Sequence, residues 1–130
     1  MSIPLKSFDI FITQDVFEHI YNPFKAFDEI ARVLKPGGAH IFTVPWYKKN
    51  KRTVKRIKMD RRGRVIHLQP PIYHGNPIDD KGSLVTYDWG RDIFEIIYRT
   101  SKMHTLVYLH RDRNLGLDGE FLEVFISFKF

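Results

Sequence analysis

The chain has 130 residues, 43% of them hydrophobic and 15% aromatic, enough to enclose a core in a single domain. It has no cysteine, which excludes disulfides, thiolate nucleophiles and zinc–sulfur centres, and no run approaches the ~20 apolar residues that span a bilayer. The net charge of +6 is local, because residues 48–64 (KKNKRTVKRIKMDRRGR) hold ten of the 21 Lys and Arg but one of the 15 Asp and Glu.

Near the N-terminus Lys6 and Asp9 interrupt any apolar leader, so a cytoplasmic location is expected. Phe8 to Thr13 is short, β-branched and aromatic, apolar on both faces apart from Asp9, as in a strand buried between helices in a parallel sheet. Polarity changes at Gln14-Asp15. Asn22-Pro23 supplies a side-chain cap and then proline at the first helical position. Phe24, Phe27, Ile30, Ala31 and Leu34 recur at three- and four-residue steps and predict an inward helix face. Pro36-Gly37-Gly38 predicts the helix stop, and Ala39 to Val44 the next buried strand.

The basic segment reads as helical at first, with Val54, Ile57 and Tyr47 facing inward, then as a DRRG turn and a short strand from Arg64 to Leu68. It is either a solvated surface or a site for an anionic ligand. Nucleic acid is the less favoured form of the second, since aromatic residues are not interleaved as on single-strand binding surfaces. Gln69 to Gly82 is rich in proline and glycine and predicts an irregular loop packed by its own aromatics; with the basic segment it makes an insertion, 48–82. Ser83 to Thr86 predicts a strand. Asp88 predicts the cap of a helix beginning near Trp89, with Ile93, Ile96, Ile97 and Tyr98 on its inner side. Met103 to Leu109 and Phe121 to Phe130 predict a closing hairpin, with Leu122, Val124, Ile126, Phe128 and Phe130 alternating against Glu123, Phe125, Ser127 and Lys129. The six histidines show neither HxxxH nor HExxH spacing and Glu18-His19 are adjacent, so the spacing predicts no metal site.

QDVFEH, followed by a helix ending EIARVLKPGG and a strand ending TVP, resembles the fourth strand, following helix and fifth strand of class I S-adenosylmethionine-dependent methyltransferases. HLQPPIYHGNPI and GSLVTYDWGRDIFEII are similar to a bacterial branch of the same enzymes. The resemblance implies an α/β fold, a partial Rossmann-like sheet with strands matching four, five, seven and six and flanking helices. It also implies S-adenosylmethionine as cofactor, with Gln14, Asp15 and Val16 beside its methionine part. Glu18 and His19 would be the candidates for acid–base work, and Trp46, Tyr73 and His74 would shape the pocket for a small-molecule or anionic acceptor. The family's glycine-rich turn and the acid after its second strand would precede Phe8, and no later glycines show that spacing. The chain therefore corresponds to the C-terminal half, for which weak or absent cofactor binding is expected in isolation. Its first strand would have an open edge, closed by a homodimer or a partner chain. A catalytically inactive binding or assembly module is the alternative.

Overall fold

The computed structural model describes residues 2–130. β1 (Phe8–Gln14) leads through α1 (Pro23–Val33) to β2 (Leu34–Thr43), which lies parallel to β1. α1 begins at the expected residue: Asn22 Oδ1 accepts a hydrogen bond from the Lys25 amide at 3.1 Å, and Pro23 follows the cap. Phe27, Ile30, Ala31 and Leu34 are buried as the periodicity requires, whereas Phe24 is 41% exposed. The helix stops before Pro36, because Leu34 is already extended and pairs with Phe8. Lys129 Nζ donates to the carbonyls of Ala31 and Leu34 and so caps the helix end from across the sheet.

The basic segment is not helical. It forms β3 (Val54–Lys55) and β4 (Ile57–Met59), and β4 makes a hairpin with β5 (Val65–His67) around the expected turn. Tertiary contacts override the helical pattern here. Arg56 is buried, and its guanidinium donates to Asp88 Oδ2 and to the Pro70 carbonyl, each at 2.6 Å. The loop that follows is closed by β6 (Tyr73–His74) pairing with β7 (Ser83–Leu84). Its order comes from side-chain turns rather than from its aromatics, since Tyr73 is exposed. Asn76 Oδ1 accepts from the amides of Ile78 and Asp79, and Asp79 Oδ1 from those of Lys81 and Gly82.

β8 (Tyr87–Asp88) pairs with β3, and α2 (Ile93–Ser101) starts four residues later than Trp89. Asp88 does not cap it, because its carboxylate is taken by Arg56, and Trp89 is fully buried instead. Gly90 passes so close to the main chain of Arg52 that a Cβ would lie 2.5 Å from its carbonyl carbon. Ile93 and Ile97 are the buried residues of α2, Ile96 packs against the core, and Tyr98 points outward against the ring of His104. β9 (His104–Leu109) and β10 (Glu123–Phe128) form the hairpin, with one turn of 3-10 helix between them at Arg113–Leu115. The sheet order is β1-β2-β10-β9, with β10 antiparallel to both neighbours. This is the expected order of four, five, seven, six.

The two helices cover one face of this sheet. Phe42 and Phe125 stack at 5.1 Å beneath Phe27, Phe94 and Trp46. On β10 the deeply buried set is therefore Glu123, Phe125 and Ser127, while Val124, Ile126 and Phe128 face the side that carries no helix. Ile10, Ile12 and Leu106 on that side are 55%, 70% and 52% exposed. His40 sits in the covered layer with its Nε2 2.9 Å from Thr13 Oγ1, and burial lowers its pKa to about 3. The unfolded chain takes up that proton near 6.5, so the His40 contribution to stability is complete above pH 6.5 and is lost progressively as pH falls towards 3. Urea unfolding of His40→Asn across this range should show a shallower pH slope than the parent, by at most about 1.4 kcal/mol per pH unit; an identical slope would mean that His40 titrates normally in the fold.

Candidate functional site

The turn that leaves β1 is fixed from three sides. Asp15 adopts a left-handed backbone (φ 49°), and its amide donates to the Thr43 carbonyl at 3.1 Å while its carboxylate accepts from Thr43 Oγ1. Phe17 stacks on Phe27 with ring centres 4.3 Å apart, and that anchor draws the neighbouring Glu18 inward until it is 1% exposed. The Glu18 carbonyl accepts from the Thr86 amide at 2.7 Å. His19 Nδ1 lies 2.9 Å from the Leu84 carbonyl. A carbonyl only accepts, so Nδ1 carries the proton and the neutral ring presents a bare Nε2.

That Nε2 lies 3.6 Å from Glu18 Oε1, and His74 Nδ1, reaching in from β6, lies 4.0 Å from the same oxygen. The two imidazoles meet edge to face at 5.0 Å. The three side chains line a cleft of about 540 Å³ with Asp15, Pro45, Ser83 and the loop 75–77. Neither Glu18 carboxylate oxygen has a hydrogen-bond partner. Burial raises the Glu18 pKa, its own peptide N–H and His19 offset this in part, and Asp15 adds like-charge repulsion. His74 is pushed the other way, first by burial and then by His19, so it favours the neutral ring.

Of the residues singled out from the sequence, Asp15, Glu18, His19 and His74 come together here. Gln14 and Val16 are exposed beside the cleft without lining it. Tyr73 belongs to a shallow depression around Asp79 and Lys81. Trp46 lies in a second cleft of about 460 Å³ with Tyr47, Lys48 and Glu123, its indole N–H donating to the Gly90 carbonyl at 3.0 Å. Glu120 and Phe121 line both clefts and had no counterpart in the sequence reading. Their only advance signal was the length of the loop between the hairpin strands. Phe121 is a non-glycine residue at φ 57°, and its ring packs edge-on against Tyr47.

Residues 1–42 match a family model described as a methyltransferase domain. An S-adenosylmethionine-dependent methyltransferase from Mesorhizobium loti superposes with a TM-score of 0.57 at 16% identity, covering 98% of this chain and 65% of that one. A methyltransferase from Haloferax volcanii, in complex with the activator Trm112, gives 0.58 at 16% identity over 98% of this chain and 56% of that one. A phosphoethanolamine N-methyltransferase from Haemonchus contortus, solved with S-adenosylhomocysteine, gives 0.51 at 15% identity over 98% and 35%. The chain has the class I S-adenosylmethionine-dependent methyltransferase fold. It spans about two thirds of the Mesorhizobium loti methyltransferase and little more than half of that from Haloferax volcanii. No curated protein matches the sequence.

In an open α/β sheet of this kind ligands bind outside the carboxyl ends of the strands, which is where the cleft lies. Asp15 lines that cleft, and no glycine-rich strand-to-helix turn occurs in these residues. The carboxylate of Glu18, raised in pKa by burial, contributes stability in its protonated form, and that contribution is lost as pH rises above the ordinary carboxyl range. Glu18→Gln should therefore unfold at higher urea than the parent at pH 8, by about 1–2 kcal/mol, with the gap closing in acid; a destabilised Glu18→Gln would show that the carboxylate finds a partner in solution.

Proposed function

We propose that the chain is the acceptor-side half of an S-adenosylmethionine-dependent methyltransferase, acting with cofactor-binding elements supplied from outside these 130 residues. The observation that carries this is the Asp15, Glu18, His19 and His74 cluster at the carboxyl end of the parallel β1–β2 pair, in a sheet with methyltransferase strand order. Methyl transfer from a sulfonium depends mainly on holding the acceptor in line, with a base where a proton must leave. The cofactor, when bound, supplies the electrophilic methyl group. Asp15, with Gln14 and Val16 at the rim, borders its methionine part. His19 is the better base of the adjacent pair, since its bare Nε2 is held by the bond to Leu84, and Glu18 stabilises the imidazolium that results. His74 forms the opposite wall for the acceptor. Trp46 and Tyr73 stand outside this cleft and would touch only an acceptor long enough to pass Phe121 or the loop rim.

The acceptor class supported is a small molecule with an anionic group. Lys49 and Arg111 line the adjoining cleft beside the Lys48–Glu123 ion pair, and the Haemonchus contortus neighbour was solved with phosphomonomethylethanolamine. Nucleic acid is less favoured, because Arg56 and Arg64 of the basic segment are engaged by Asp88 and Asp60. β1 pairs on one side only among the described residues, and Ile10 and Ile12 stand exposed beside that edge. This supports pairing with a second copy across a two-fold axis, or with a chain bearing the glycine-rich half. The Haloferax volcanii neighbour is itself bound to an activator. The lack of cysteine fits a reducing compartment such as the cytoplasm.

Calorimetric titration of the isolated chain with S-adenosylmethionine should show weak binding that Asp15→Asn, which tolerates the left-handed backbone and keeps an acceptor for Thr43, weakens further with little change in Tm; low-micromolar affinity would mean that these residues hold a complete cofactor site. Light scattering at tens of micromolar should give a dimer, and a stable monomer would show that the β1 edge is protected without a partner.

A further inference from the structure

We propose that Glu18, His19 and His74 form a binding site for one divalent transition-metal ion, open on its cleft side. One donor atom from each residue lies within 4.8 Å of the other two. Donors held about 2.1 Å from a tetrahedral ion stand about 3.4 Å apart, so the observed 3.6 and 4.0 Å separations from Glu18 Oε1 close with small side-chain rotations.

Three independent observations favour a cation at that point. Glu18 is buried with both carboxylate oxygens unpartnered, an arrangement that proteins rarely keep without a positive neighbour. His19 is already held as metal-binding histidines are, with Nδ1–H fixed on a main-chain carbonyl and Nε2 aimed at the carboxylate. The charge balance of the cleft also points the same way. In a protein of net charge +6 it is lined by three carboxylates, Asp15, Glu18 and Glu120, and by two histidines, with no lysine or arginine. An anion would be repelled there.

Two imidazoles and one carboxylate suit borderline ions such as Zn²⁺ or Co²⁺ better than Mg²⁺ or Ca²⁺, which take oxygen donors. Three protein ligands leave at least one position for water or an acceptor oxygen, the pattern of a reactive rather than a structural site. The ion-binding site does not depend on the methyltransferase assignment; with the ion bound, His19 Nε2 is a ligand and no longer the free base, and a role for the ion in presenting an acceptor oxygen rests on that assignment. The spacing of the sequence hid the site because two ligands are adjacent and the third arrives on a loop 55 residues later.

The test is a titration of the tag-free, chelator-treated chain with Co²⁺, followed by visible absorption, and with Zn²⁺, followed by calorimetry, both without S-adenosylmethionine so that failure of the site is distinct from failure of the activity. One ion per chain is expected, with affinity falling as pH drops below the imidazole range. His74→Ala alters a partly exposed residue and should leave the fold intact, yet lower affinity at least tenfold. Glu18→Gln should do the same while remaining at least as stable, and His110→Ala, at a histidine that does not line the cleft, should change nothing. Zn²⁺ should raise the Tm of the parent and not of His74→Ala. Absence of stoichiometric binding, full binding by His74→Ala, or equal loss in His110→Ala would each overturn the site.

Discussion

The stack of Phe17 on Phe27 is the interaction on which the arrangement of the cleft depends. Residues leaving the end of a buried strand ordinarily turn into solvent, and four of the five after Thr13 are polar or exposed. Burying one aromatic in that run reverses the direction of its successor, so Glu18 enters the interior behind Phe17. Thr86 then closes the turn from the opposite side: its amide bonds to the Glu18 carbonyl, and its hydroxyl is shared between the carbonyls of Glu18 and Ile20. The strand 83–84 is thereby held next to the turn, which brings His19 to Leu84 and, through the β6–β7 ladder, His74 to Glu18. One apolar contact thus positions three polar side chains drawn from two distant segments.

A second constraint is that the sheet is covered on one face only. Both helices pack against the face bearing Phe42 and Phe125, and the aromatic layer there is continuous from Phe17 to Trp46. The opposite face retains Ile10, Ile12, Leu106 and Tyr108 at half exposure or more. Apolar sheet faces of this extent are normally found beneath another layer. The open edge of β1 adjoins the same face, so one partner could satisfy both backbone and side chains.

Elements whose local signals agree with the tertiary fold were legible in the sequence. Asn22-Pro23 sets the start of α1 by a mechanism that acts within four residues, and the β-branched strands need only the sheet they form. The failures share a different cause. Residues 54–59 have a helical pattern, but Arg56 is drawn inward by Asp88, 32 residues away, and Asp88 is in turn lost as the cap of α2. The resemblance implied Tyr73 and Trp46 as pocket residues, yet where an aromatic points depends on loop turns made by Asn76 and Asp79 and on a bond from the Trp46 indole to Gly90. The cluster of Glu18 and His19 with His74 is of the same kind. Each residue was a candidate alone, and only the β6–β7 pairing makes them neighbours.

The charge pattern has a consequence for how an acceptor would be oriented. The basic segment is partly internal scaffolding, since Arg56 is buried on Asp88 and the Pro70 carbonyl. Of its remaining cations Lys48 and Lys49, with Arg111, line the Trp46 cleft, whereas the Glu18 cleft carries carboxylates and imidazoles. Glu120 and Phe121 form the wall between a cleft that holds cations and one that holds none. An acceptor with an anionic group at one end and a nucleophile at the other would meet complementary potential in only one direction, anion towards Lys49 and Arg111, nucleophile towards His19. Orientation by charge of this sort needs no dedicated hydrogen bond to the substrate. It is consistent with a reaction in which alignment, rather than covalent participation of the protein, contributes most of the rate.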